Sequence, residues 1–98
     1  MLVHAVYFWL KPDITPAQVS TFEELCGAMA KIPSVQHLWL GKPASTDRPV
    51  IDRSYSYGLV VALKDMEAHE AYQIHPIHDK FRETCGSFWS QLKIYDQI

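Results

Sequence analysis

Residues 2–10, LVHAVYFWL, alternate between two sets of side chains. His4, Val6, Phe8 and Leu10 fall on one side, and Val3, Ala5, Tyr7 and Trp9 on the other. That period of two predicts a strand, and because both sets are apolar, both faces need cover. Lys11-Pro12-Asp13 interrupts it. Thr15, Pro16 and Gln18 then stand at the N-cap, N1 and N3 positions of a capping box, with Ile14 and Val19 as its hydrophobic staple. Val19, Phe22, Leu25, Cys26, Met29 and Ala30 keep helical spacing to about Lys31. Ile32-Pro33-Ser34 ends that helix and leads into a second strand over 35–40.

The connection over 41–53 is long, with Pro43, Asp47 and Pro49 supplying turn chemistry. A third strand is predicted over 55–63. Tyr55, Tyr57, Leu59, Val61 and Leu63 share one face, and Ser56, Gly58, Val60 and Ala62 the other, where small side chains would admit a close helix. Asp65 can cap a short helix over 66–74. Pro76 disfavours helical backbone at His75, so a break is expected there before a second helical segment. His78, Phe81, Cys85 and Phe88 form one stripe along that segment. A final strand follows over 92–96, with Leu92, Ile94 and Asp96 on one side.

The order β-α-β-β-α-β predicts an α+β, ferredoxin-like fold with a four-stranded antiparallel sheet, in one domain over residues 1–98. Helices then cover one sheet face and leave the other apolar. The chain has 98 residues, 48% of them hydrophobic, while a domain of this size buries only about 60% of its unfolded surface. The surplus calls for a partner, and a two-fold homodimer is the expected one.

Charge and hydropathy narrow the class. Nine basic against eleven acidic residues give a net charge of −2, the wrong balance for a nucleic-acid binder. No apolar run reaches the roughly 20 residues of a membrane span, and the apolar N-terminus lacks the basic start and cleavage site of a signal peptide. Cys26 and Cys85 form no CxxC pair and read as buried thiols in a reducing cytoplasm.

Candidate chemistry concentrates in the segment from Ala71 to Phe81, where Tyr72, His75 and His78 flank Pro76. Histidine titrates near neutrality and serves as general base or acid. A phenol can polarise a carbonyl, and His4 on the first strand reaches the same pocket if it faces inward. The competing reading is structural: a histidine on an apolar stripe is more often a hydrogen-bonded core residue. A zinc site of His69, His75 and His78 is disfavoured because Pro76 splits the spacing and no Cys or Glu completes it. The chain has no GxSxG, and its four isolated glycines make no phosphate loop. Trp9, Trp39 and Trp89 read as core or interface anchors.

His4, the helix-ending Ile32-Pro33, the string Tyr72-x-x-His75-Pro76-x-His78-x-x-Phe81 and the terminal Ile94-Tyr95-Asp96 together resemble the stress-responsive A/B barrel (Dabb) family. The resemblance covers nearly the whole chain and implies a dimeric α+β barrel, two four-stranded sheets packed face to face. Many family members are bacterial proteins of unknown function, and some plant members are stress-induced. One plant member performs a cofactor-independent aldol cyclisation of a polyketide thioester.

Its catalytic residues correspond by motif to Tyr72, His78 and His4, and the Ser87-Phe88-Trp89 segment is also similar. By that resemblance His78 would take a proton alpha to a carbonyl, Asp96 would orient His78, and Tyr72 would stabilise the enolate. Tyr57, His75, Phe81 and Phe88 would contact substrate, Tyr57 standing where that enzyme has a further pocket histidine. No cofactor is required. Some relatives hold a cation on backbone carbonyls that would be those of Met29, Ile32 and Val35, a donor set suited to Mg²⁺ or a similar hard ion.

Two functions follow as expectations. The first is a homodimer binding a small organic molecule in a His/Tyr-lined pocket, with aldol- or cyclase-type proton transfer. The second is a non-catalytic stress-response or assembly protein in which the same residues form a buried polar cluster. A monooxygenase rests on fold analogy alone. The discriminator is whether His78 and Tyr72 adjoin a cavity.

Overall fold

The computed structural model describes residues 1–98. Its strands are β1 (Leu2–Leu10), β2 (Val35–Gly41), β3 (Tyr57–Leu63) and β4 (Trp89–Gln97). Its helices are α1 (Pro16–Ala28), α2 (Met66–Gln73) and α3 (Pro76–Cys85), and a 3₁₀ turn over Met29–Lys31 extends α1. The sheet order is β2-β3-β1-β4, with every neighbouring pair antiparallel. This is the ferredoxin-like arrangement that the chain order predicts.

Local signals set the helix starts. Thr15 Oγ1 accepts from Gln18 N at 3.1 Å while Gln18 Oε1 accepts from Thr15 N at 2.9 Å, so the capping box forms in full. Asp65 caps α2 by accepting from Ala68 N at 2.9 Å. At the proline break, His75 Nδ1 accepts from Ile77 N at 3.1 Å and caps α3.

The inward face of β1 is the one bearing Leu2, His4, Val6 and Phe8. It joins Leu59, Val61 and Leu63 of β3 beneath Phe22, Cys26, Met29, Tyr72, Phe81 and Cys85 of the helical layer. Phe22, fully buried, sits at the centre of an aromatic cluster. Its ring centroid lies 5.0 Å from Phe8, 5.1 Å from Tyr57 and 5.7 Å from Phe81. Both cysteines are free and buried, and burial pushes both thiols up, so they stay protonated packing groups.

Three details differ from the sequence reading. The small face of β3 receives no helix. It lies on the open side of the sheet, where the Tyr7 ring covers Gly58 so closely that a Cβ there would stand 3.1 Å from Tyr7 Cε1. Strand β3 begins at Tyr57, two residues later than expected, because Ser56 N bonds Phe8 O outside the regular ladder. Strand β4 begins at Trp89, three residues early, because Trp89 pairs with Leu10 across a bulge.

The open sheet face carries exposed Trp39 and Tyr95. On the helical side, Leu92 and Ile94 of edge strand β4 are also exposed, because the helices stop short of that edge. No helix is long and apolar enough to cross a membrane.

Candidate functional site

The break at His75-Pro76 turns the chain so that the end of α2 and the first turn of α3 look down on β1. A cavity of about 240 Å³ lies beneath them. Tyr72 comes from α2 and His78 from α3. His4, Val6 and Phe8 form the floor, and Trp89, Leu92 and Ile94 form the wall toward β4. The Tyr72 and His78 rings meet edge to face at 4.9 Å, and His4 lies 5.7 Å from Tyr72. Three groups able to exchange or donate protons thus adjoin one mostly apolar space.

Their protonation states are complementary. Burial lowers the pKa of His78 below the ordinary histidine value, and the Arg82 guanidinium adds to the effect. The imidazole is therefore neutral at neutral pH, the form that accepts a proton. His78 Nδ1 is buried without a hydrogen-bond partner. Burial pushes the Tyr72 phenol up, so it stays protonated and can donate. Its hydroxyl reaches only the Met29 sulfur, at 3.6 Å, a weak acceptor that a carbonyl oxygen would displace.

The His78 shift also carries a stability consequence. The folded state holds His78 neutral below the pH at which the unfolded chain, near the ordinary value of 6.5, already takes a proton. Stability should therefore fall as pH drops below about 6.5 until the lower folded pKa is passed, and be insensitive to this group above it. Thermal melts of wild type and His78→Gln between pH 5 and 8 check this, since the variant should lose that part of the acid sensitivity. Identical pH slopes would contradict it.

Asp96 does not orient His78. Cross-strand register places it opposite His4, and its carboxylate accepts from His4 Nδ1 at 2.5 Å. His69 Nε2 approaches the other carboxylate oxygen at 3.5 Å. His78 comes instead from α3 in the helical layer. Sequence reasoning missed His69 as a member of this group, although a signal existed. His69 lies three residues before Tyr72 on α2, so both must share a face.

Of the expected substrate contacts, Phe81 lines the cavity. Tyr57, His75 and Phe88 do not. The Tyr57 hydroxyl donates to Glu23 at 2.5 Å, and burial together with that carboxylate pushes its pKa up to about 12. The His75 side chain is committed to capping α3. Phe88 borders a separate shallow groove beside Thr15 and Ser87. His69, His75 and His78 are not assembled as a trio, because His69 gathers with His4 and Asp96 instead.

The carbonyls of Met29 and Ile32 accept from Ile32 N and Val35 N in successive turns. Each keeps one free lone pair. The set is neutral and has Lys31 within it, whereas sites for hard divalent ions usually include carboxylate. These neutral carbonyls are a poor fit for Mg²⁺.

The family model described as Stress responsive A/B Barrel Domain (Dabb) matches residues 2–98. Olivetolic acid cyclase of Cannabis sativa is 28% identical over 94 residues, spanning 95% of this chain and 91% of that protein. Hydroxynitrile lyase from Passiflora edulis superposes with a TM-score of 0.82 at 14% identity, covering 99% of this chain and 91% of its own. A dimeric ferredoxin-like protein of unknown function from Thermobifida fusca superposes with a TM-score of 0.80 at 21% identity, over 98% of this chain and 88% of its own.

Proposed function

The chain belongs to the stress responsive A/B barrel domain family, and from that premise we propose that it is a cofactor-independent proton-transfer catalyst acting on a small carbonyl compound. The observation that carries this reading is the pairing of a neutral imidazole with a protonated phenol, His78 and Tyr72, at one cavity. His78 removes a proton alpha to the carbonyl. Tyr72 donates a hydrogen bond to the oxygen, where enolate charge develops. His4, held by Asp96, presents its remaining ring nitrogen as a further polar group at the floor.

The mostly apolar lining, which also includes Gln73 and Arg82, favours a substrate of largely hydrocarbon character. A volume of about 240 Å³, below the roughly 300–1,000 Å³ of drug-sized ligand pockets, keeps that substrate small. A family relative named as a cyclase and a fold relative named as a lyase support a catalytic reading.

The test is deuterium incorporation into a short β-keto thioester in D₂O. The protein should accelerate α-exchange over buffer, and Tyr72→Phe should remove most of the gain with KM less affected than kcat. Exchange no faster than in buffer would overturn the reading in favour of a non-catalytic role.

The working unit is inferred to be a homodimer formed through the open sheet face. Exposed Trp39 and Tyr95 on that face and structural neighbours described as dimeric support this. Sedimentation should give a species of twice 11.3 kDa, and a charge at Trp39 should shift it toward monomer. A wild-type monomer at micromolar concentration would refute it.

A further inference from the structure

At the Nδ1 side of His4, three potential ligands from three elements converge. We propose that His4, His69 and Asp96 form a binding site for a divalent transition metal ion of the Zn²⁺ or Co²⁺ class. One ligand atom from each lies within 4.8 Å of the others. His69 Nε2 stands 3.2 Å from His4 Nδ1 and 3.5 Å from Asp96 Oδ2. Ligand atoms bonded tetrahedrally to zinc at about 2.0–2.2 Å lie roughly 3.3–3.5 Å apart, so both separations from His69 Nε2 are already close to the required length.

His4 Nδ1 meets the other carboxylate oxygen, Asp96 Oδ1, at 2.5 Å, a contact closed by a hydrogen-bonding proton. A metal ion replaces that proton, and the contact opens as it does so. The Asp96 side chain has room to move, being 41% exposed at an edge strand, against 5% and 7% for the two histidines.

Without an ion, both histidines turn a ring nitrogen to the one carboxylate, His4 Nδ1 to Oδ1 and His69 Nε2 to Oδ2, and those two nitrogens also lie 3.2 Å from each other. Two imidazoles and one carboxylate bring a single negative charge and intermediate softness, which suit Zn²⁺ or Co²⁺ better than Mg²⁺ or Ca²⁺. The backbone holds the ligands in place, since His4 and Asp96 are register partners in the sheet and α2 sets His69 above them. The exposed carboxylate gives an entry path and leaves a coordination position toward solvent.

Occupancy also changes what His4 offers the cavity. A metal on Nδ1 leaves the proton on Nε2, whereas the hydrogen bond to Asp96 leaves Nε2 a bare acceptor. This consequence rests on the proposed function. The metal site does not.

The experiment is titration of the full chain with CoCl₂, followed by visible absorption, and with ZnCl₂, followed by calorimetry. One Co²⁺ should bind per chain with the d–d bands of a four-coordinate ion, and one equivalent of Zn²⁺ should displace it. Asp96→Asn, a surface change that spares the fold, and His69→Gln should each weaken binding by more than the roughly 10–100-fold lost with a ligand's supporting partner. His37→Gln, at an exposed histidine, should leave it unchanged. Absence of one-to-one binding, survival of binding in both cluster variants, or its loss in the His37 variant would overturn the site. Because the readout is metal binding, its failure is separate from any failure of proton-transfer activity.

Discussion

Replacing His78 with glutamine is expected to slow α-proton exchange by about 10²–10⁴-fold, the contribution typical of a positioned general base. Glutamine keeps much of the volume and some hydrogen-bonding capacity but cannot take up a proton near neutrality. The loss should therefore appear in kcat, with KM changed little. Packing should survive, because His78 is only partly buried and makes no hydrogen bond through Nδ1 in the folded chain.

The wild-type rate should rise with pH along the acid limb and level off before the ordinary histidine value is reached, since burial lowers the His78 pKa. In the variant that limb should vanish along with the activity. A variant retaining wild-type kcat would assign the base elsewhere, with His4 the first alternative because it lines the same cavity.

Phe22→Ala should cost about 3–5 kcal/mol of stability, the range for deleting a buried aromatic ring. Phe22 is fully enclosed and touches Phe8 from β1, Tyr57 from β3 and Phe81 from α3. Its removal thus opens a void where sheet and both helical segments meet. Against a total of roughly 5–15 kcal/mol for a domain, that is a large share. At about 4–8 °C per kcal/mol for chains of this size, the melting temperature should drop by more than about 12 °C. Ile74→Ala is the matched control. Its side chain is 76% exposed, and its cost should stay within about 0.5 kcal/mol. Equal melting temperatures for the two variants would mean the core is not centred on Phe22.

What was legible in the chain was what short-range forces control. The Thr15–Gln18 box, the Asp65 cap and the break at Pro76 involve groups no more than four residues apart, so their residue types announce them. Alternation along residues 2–10 and 55–63 marks strands for the same reason, and the order of elements then leaves the ferredoxin-like sheet. The Tyr72–His78 pairing was legible too, because one proline break governs both side chains.

Tertiary structure alone decided which of two apolar faces of β1 turns inward, since a period of two is symmetric and only the position of the helices breaks the tie. It moved Tyr57 away from the cavity by giving its hydroxyl to Glu23, and it assigned His75 to a cap. It also took Asp96 from His78 and gave it to His4, a partner 92 positions away. Register between β1 and β4 makes that contact, and register is a property of the assembled sheet rather than of either strand. Packing of α2 over the sheet brought His69 beside them, so the cluster proposed to hold a metal ion exists only once sheet and helices have met.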